Sequence, residues 1–445
     1  MNHPQKPQSP AYSRRSFLQT TSTLMGAAAI GGLSIERSAH AAGDDTLKLA
    51  LIGCGGRGSG AADQALSTKF NIKLIAMADA FPDHLNSSLQ GLKAKHKDKV
   101  AVSEDNKFLG FDAYKNAIAL ADVVILATPP GFRPIHFEEA VRQGKNIFME
   151  KPVAIDAVGI RRVLAAAEAA KAKNLKIGVG LQRRHQPPYI ETIKRLHDGQ
   201  IGDIVAMRCY WNGATPWVHP REELQKQYGR ELTEMEYQMR NWYYFNWLCG
   251  DHINEQHIHN LDVINWVKNG YPVSANGMGG VQVRKGKDYG EIFDHHAVEY
   301  EYADGSRCAS QCRHQVNTWN SVSEAVVGTK GSCQVDRYTI RGENAWRYKS
   351  DDEKINPYQQ EHDDLWAAIV NNTPYSEAER GAKSTMTSIM GRMATYSGKI
   401  VTWEEAMNSK LNLMPDTFTW DTIPKVLPGP DGMYPCAIPG KTVAL

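Results

Sequence analysis

The chain has 445 residues, more than one hydrophobic core usually organises, so two domains are expected. Aliphatic, aromatic and cysteine residues make up 42% and charged residues 22%, the balance of a water-soluble globular protein, which excludes a disordered or membrane-embedded chain. The formal charge is +2 and no basic run follows the N-terminal segment, so nucleic acid is not an expected partner.

The first segment carries Ser13-Arg14-Arg15-Ser16-Phe17-Leu18, then an apolar Gly/Ala-rich run from Leu24 to Ile35, then Ala39-His40-Ala41. Paired arginines before a short apolar run and a small-residue site read as a twin-arginine export signal over residues 1–41, cleaved after Ala41. The run is too short to span a bilayer comfortably, so no membrane span is expected in the mature chain. A periplasmic location follows. This route moves folded proteins, so a bound cofactor can travel with the chain.

Thr46 to Ile52 and Ile72 to Ala78 are compact apolar runs separated by an amphipathic stretch, which is β-α-β spacing. Gly53-Cys54-Gly55-Gly56-Arg57-Gly58 follows the first strand and opens a helix. Glycines at these places allow a tight turn, close backbone approach to a pyrophosphate and packing of the helix on the sheet. Asp79 lies at the end of the second strand, where a carboxylate accepts from ribose hydroxyls and repels a 2′-phosphate, and Ala80-Phe81 supplies no cation. NAD is therefore expected over NADP. Ala121 to Ala127, Asn146 to Met149 and Leu175 to Val179 repeat the buried-strand pattern, with helices predicted over Phe132–Gln143 and Ala157–Ala172. The alternation predicts an α/β N-terminal Rossmann domain over residues 46–180, a parallel, doubly wound sheet.

From Ile204 the rhythm changes. Ile204–Trp211, Val273–Val283, Ala297–Tyr302, Arg307–Arg313, Ser323–Gly328 and Gly331–Asp336 read as strands joined by Gly/Asp turns, and helices are predicted over Pro188–Asp198, Asp251–Lys268, Tyr358–Asn371 and Glu377–Lys399. They predict an α+β C-terminal domain over residues 181–410 with a largely antiparallel open sheet. Residues 411–445 form a Pro/Gly-rich tail without periodicity. The seven cysteines lack zinc-ribbon or disulfide-scaffold spacing, and Cys308 and Cys312, four apart in a strand, are too distant to bond, so they read as packed thiols.

Glu150-Lys151-Pro152 stands just after a buried strand. With the glycine loop and Asp79 before it, the chain resembles the Gfo/Idh/MocA oxidoreductases from about Leu47 to Ala406. The resemblance places Lys151 beside the nicotinamide and substrate, with Glu150 next to it, and sets Thr128-Pro129-Pro130 and His136 by the nicotinamide ribose. An ammonium at the mouth of an apolar site can polarise a hydroxyl or relay its proton. His136 can instead simply cap and pack.

The run from Gly250 to Asp262 is rich in histidine and acid. On one continuous helix, residues 251, 255, 259 and 262 share a face, so Glu255 would orient His259 from one turn earlier. The family places an acid four residues before its catalytic histidine and an aspartate three after it. Glu255, His259 and Asp262 match that spacing, with glutamate where most members have aspartate. His259 is the expected general base and Asp262 a substrate contact. Convergence of His252, Glu255 and His259 on a metal is the weaker reading, and no metal is expected. Arg183 or Arg184 would bind a sugar hydroxyl or form an interdomain salt bridge. In the aromatic run from Arg240 to Trp247, Tyr243 is the expected substrate contact.

Together these readings predict an NAD-dependent oxidoreductase acting on a CH–OH group of a carbohydrate. Outside the cytoplasm nicotinamide cannot be replenished, so the cofactor would stay bound. Three activities fit: hydride exchange between two sugars, as in glucose–fructose oxidoreductases; glycoside cleavage by transient oxidation and elimination; or sugar binding without catalysis. Glu-Lys-Pro favours the first, and the resemblance implies a dimer or tetramer.

Overall fold

The computed structural model describes residues 46–349 and 355–445; the twin-arginine pair, the apolar run and the cleavage site lie outside the described residues. The first half has six strands, β1 (Leu47–Ile52), β2 (Ile72–Asp79), β3 (Lys107–Leu109), β4 (Val123–Leu126), β5 (Asn146–Met149) and β6 (Ile177–Val179); five come from the apolar runs, and β3, short and partly exposed, lies outside the predicted strands. They form one parallel sheet in the order β3-β2-β1-β4-β5-β6. All four residues of β4 are buried, as expected for a strand covered by helices on both faces. Chain order reverses between β1 and β4, so a crevice opens beyond the C-terminal ends of these strands, where ligands of such sheets bind.

The second sheet has nine strands: β7 (Ile204–Gly213), β8 (Ser274–Gly280), β9 (His295–Glu301), β10 (Arg307–His314), β11 (Ser321–Gly328), β12 (Gly331–Gln334), β13 (Thr339–Gly342), β14 (Trp346–Arg347) and β15 (Val401–Thr402). Its order is β14-β13-β12-β11-β7-β10-β9-β8-β15. The sheet is largely antiparallel, as expected, with one parallel pair, β7 and β10. Residues of β10 alternate between exposed and buried, leaving one face covered by helices. Cys308 and Cys312 both point to that covered face and are free thiols.

The helix Ala378–Ser397 lies against both sheets. Its small residues allow close approach: a Cβ on Gly381 would lie 3.0 Å from the Val179 side chain, and one on Gly391 would lie 2.0 Å from the Tyr300 hydroxyl. At its start, Glu377 Oε2 accepts from Val179 N at 2.9 Å, tying the helix to β6. Among the described residues, no helix is long and apolar enough to cross a membrane.

The helix predicted over Asp251–Lys268 is broken. Gly250 and Asp251 both have positive φ, and His252–Glu255 and Ile258–Lys268 are separate helices. The cause is the polar run itself, whose side chains bond to different walls. Asn254 donates to Ala154 O at 3.0 Å, Gln256 Oε1 meets His314 Nε2 at 2.7 Å, and His257 Nε2 meets Ser310 Oγ at 2.7 Å. These tertiary hydrogen bonds outweigh helical continuity.

Candidate active site

A cavity of about 1110 Å³ begins at the crevice beyond β1 and β4 and reaches the broken helix of the second half. At one end lies the glycine loop. Gly53 has φ +93°, and a Cβ there would sit 2.5 Å from Ala127 C; a Cβ on Gly58 would sit 1.9 Å from Gly53 O. These two glycines let β1, β4 and the helix Gly56–Ser67 pack together. A Cβ on Gly55 or Gly56 would meet no atom within 4 Å, so these two keep the cavity open above the helix N-terminus. The helix has no side-chain cap, which leaves its first N–H groups for an anion. The loop fits a dinucleotide's pyrophosphate.

Asp79 braces the loop while facing the cavity: Oδ2 accepts from Cys54 N at 2.6 Å and Oδ1 from Phe81 N at 2.8 Å. A carboxylate has further lone pairs for ribose hydroxyls. Burial raises the Asp79 pKa, and the two N–H groups work against that. The fold also brings a cation that the local sequence does not show. Arg240 arrives from the second half, donating to Asp83 Oδ2 at 2.8 Å and Oδ1 at 2.6 Å. Because Asp83 engages the guanidinium, Arg240 is not a free receptor for a 2′-phosphate, and the preference for NAD stands.

Arg57 crosses from the loop to the Glu-Lys-Pro turn. Its Nε donates to Glu150 Oε1 at 2.5 Å, and its guanidinium lies 5.0 Å from the Tyr358 ring centroid. Arg133, absent from the sequence reading, is buried and links two strand ends, donating to Glu150 O at 3.0 Å and Thr128 O at 2.7 Å. Burial lowers its pKa to about 10. Thr128, Pro129 and His136 line the cavity between the two ends. His136 meets Thr128 Oγ1 at 3.2 Å and stacks on Tyr114 at 4.2 Å, with a pKa lowered to about 3 by burial and by Arg133. It is a neutral, packed wall residue.

At the other end stand Lys151, Glu255, Gln256 and His259. Lys151 Nζ donates to the Glu255 backbone carbonyl at 2.6 Å and to Glu255 Oε1 at 3.1 Å. Burial raises the Glu255 pKa, and Lys151 opposes that shift. This corrects the expected orientation of His259 by Glu255: the helix break separates their faces, and the carboxylate turns to the lysine. The His259 ring instead stacks on Trp211 at 5.9 Å, and among the described residues no side chain hydrogen-bonds its imidazole. Burial, then the charges of Lys151, Arg183 and Arg57, hold the His259 pKa well below 6.5. The imidazole is neutral.

Three expected substrate contacts do not line this cavity. Asp262 binds Arg184 through both oxygens, at 2.8 and 2.9 Å, and accepts from Ser384 Oγ at 2.7 Å. Arg183 pairs with the buried Glu324 of β11. Tyr243 is buried, and burial first, then the nearby Glu255 charge, pushes its hydroxyl pKa up. From the aromatic run, Arg240 and Trp242 face the cavity instead, joined by Trp211 and Trp217. A three-residue 3-10 turn, Trp242–Tyr244, followed by the short helix Asn246–Cys249, decides which rings turn inward. His252 points away from Glu255 and His259: its Nδ1 meets Asp251 Oδ1 at 2.7 Å, and with His296 it forms a buried group whose ligand-type atoms lie within 4.8 Å of one another. The metal set weighed from the sequence does not converge.

Residues 47–180 match the family described as the oxidoreductase family with an NAD-binding Rossmann fold, and residues 189–334 match the Gfo/Idh/MocA C-terminal domain. An inositol 2-dehydrogenase of Rhizobium meliloti (strain 1021) is 30% identical over 161 residues, 36% of this chain and 43% of that protein. One from Klebsiella pneumoniae (strain 342) is 27% identical over 230 residues, 50% of this chain and 55% of that protein. The chain thus spans about half the length of the curated relatives it matches. Among solved structures, scyllo-inositol dehydrogenase from Lactobacillus casei with bound NAD(H) and scyllo-inositol has a TM-score of 0.59 at 20% identity, covering 81% of this chain and 100% of that one. Aldose–aldose oxidoreductase from Caulobacter crescentus has a TM-score of 0.62 at 18% identity, covering 80% and 100%. The two family matches, on successive parts of the chain that together make up more than half of it, show that the chain belongs to the Gfo/Idh/MocA oxidoreductase family.

Proposed function

We propose that this protein is an NAD-dependent oxidoreductase for a CH–OH group of a sugar, polyol or glycoside, and that its cofactor stays bound while one substrate is oxidised and another reduced. The observation that carries this reading is that Lys151, Glu255 and His259 face the same cavity as the glycine loop and Asp79. Bound NAD would supply the hydride acceptor, with Gly55, Gly56 and Asp79 holding it. The remaining work falls to the chain. The neutral, unpartnered His259 imidazole takes the hydroxyl proton, and the Lys151 ammonium donates to the same oxygen as charge develops there. Glu255 holds Lys151 in place through two oxygens. Trp211, Trp217 and Trp242 offer flat apolar walls that suit a sugar ring. The relatives named inositol 2-dehydrogenases support a polyol-like substrate class.

The test is to denature the purified protein and assay the supernatant for dinucleotide, then to give native protein pairs of sugars while following absorbance of reduced nicotinamide. One NAD per chain, reduced once by a first sugar and reoxidised by a second carbonyl compound, is the expected result. Absence of bound dinucleotide, with steady turnover only on added NAD, overturns it.

Retention of the cofactor accords with export of a folded chain, which rests on Ser13-Arg14-Arg15-Ser16-Phe17-Leu18. Replacing Arg14 and Arg15 by lysine is expected to leave the protein in the cytoplasm on cell fractionation. Unchanged location of that variant refutes the export reading.

A further inference from the structure

We propose that residues 214–245 form a clasp, latched by Arg240 on Asp83 and backed by the C-terminal tail, that retains the dinucleotide in its site. The inference rests on the NAD-binding reading above and adds the means of retention. The segment leaves β7, forms the helices Arg221–Tyr228 and Glu234–Arg240, and returns at the broken helix. It belongs to neither sheet, yet His219, Leu224, Met239 and Arg240 line the cavity opposite Asp79 and Phe81. At its other end Trp217 packs on Trp242 at 5.8 Å and on Tyr243 at 5.9 Å, beside the reactive cluster. The segment therefore forms part of the cavity wall at several points between Trp217 and Trp242.

The latch closes on the Rossmann side. Both terminal nitrogens of Arg240 donate to Asp83, its guanidinium lies 3.6 Å from the Phe81 ring centroid, and it also reaches the Tyr228 hydroxyl. An exposed ion pair alone contributes little. Here only Asp83 is exposed, at 52%, whereas the Arg240 side chain is at 9%, and a bidentate fork stacked on an aromatic face is the favourable exception.

The tail, which shows no periodicity in sequence, holds this segment in place. Thr233 Oγ1 donates to Trp420 O at 3.0 Å, Gln238 Nε2 to Val426 O at 2.8 Å, and the Tyr434 hydroxyl to Glu234 Oε2 at 2.7 Å. The Trp420 ring then packs on Phe81 at 5.2 Å and Phe111 at 4.7 Å, two rings of the cavity wall. Latch and tail thus both pack on Phe81, two residues from Asp79. A dinucleotide seated on the glycine loop leaves only after this contact opens, so the latch governs its release rate.

The experiment saturates the full mature chain with NAD, removes free nucleotide, and chases with excess fluorescent etheno-NAD. Arg240→Met keeps an apolar stem on Phe81 and loses the fork; Asp83→Asn removes the opposite charge from the surface side. Each is expected to speed NAD release at least about tenfold. The reversed pair, Arg240→Asp with Asp83→Arg, is expected to slow release again relative to either single reversal, which a loss of packing alone does not do. Release unchanged from wild type in both Arg240→Met and Asp83→Asn overturns the clasp. A protein that holds NAD, releases it faster in both variants, and yet moves hydride between no pair of sugars supports the clasp and removes the exchange reaction. The two proposals therefore fail separately.

Discussion

Replacing His259 by alanine is expected to lower kcat by about 10²- to 10⁴-fold while NAD stays bound, because the imidazole faces the reactive end of the cavity and not the glycine loop. Single-turnover reduction of bound NAD by a sugar measures this directly. Loss of NAD in the variant, or a wild-type rate, overturns the role given to His259. The pH dependence has a definite sign. Burial and the surrounding cations depress the His259 pKa below 6.5, so the ring is already neutral and able to accept a proton throughout the neutral range. The rate of hydride transfer should therefore change little between about pH 6 and pH 8, and fall only as pH drops through the depressed value. A rate that climbs across that range with a midpoint near about 6.5 would mean that the titrating base is more exposed than His259. Lys151→Ala should cost a similar factor. Glu255→Gln should cost less, since the Glu255 backbone carbonyl still holds Nζ at 2.6 Å.

Gly55→Val is expected to give a folded protein with no bound dinucleotide. A Cβ at Gly55 meets nothing within 4 Å of the chain, so the fold has room for the side chain, but that room is where the pyrophosphate must approach the helix N-terminus. Native far-ultraviolet circular dichroism with no NAD released on denaturation is the expected pair of readings. A variant that still carries NAD places the dinucleotide elsewhere. Gly58→Val is the contrast. Its Cβ would lie 1.9 Å from Gly53 O, so the strand–loop–helix unit must shift, and a destabilisation above about 4 kcal/mol is expected in chemical denaturation. The two glycines share one motif and differ in what each makes room for.

What was legible in the sequence follows from how far apart the determinants lie. The glycine loop is largely a local object: strand end, turn and helix start are neighbours in the chain and Gly58 is required by the Gly53 carbonyl, although Gly53 itself is required by Ala127 and Thr128 just beyond β4. The same holds for Asp79, two residues from the Phe81 N–H it accepts. Apolar runs marked five of the six parallel strands because strands buried on both faces carry little else, whereas the short, partly exposed edge strand β3 carries no such run. The family was readable from the glycine loop and Glu-Lys-Pro, and the matches over residues 47–180 and 189–334 agree.

The pairing of side chains was decided by tertiary structure. Helical spacing gave Glu255 to His259, yet the polar run broke the helix by bonding to several walls, and Lys151, 104 residues earlier, took the carboxylate. Asp262 kept its predicted helix but turned to Arg184 and Ser384. The clasp was invisible for the same reason: Arg240 and Asp83 are 157 residues apart, and no periodicity links a tail tryptophan to Phe81. Thus the sequence by itself determined the dinucleotide-binding unit and most of the parallel sheet, because short-range backbone and burial constraints suffice for these. Which carboxylate holds the lysine, why the histidine is neutral, and what walls the cavity were decided only when hydrogen bonds between distant segments formed in a buried setting, where an unpaired polar group costs more than a lost helical turn.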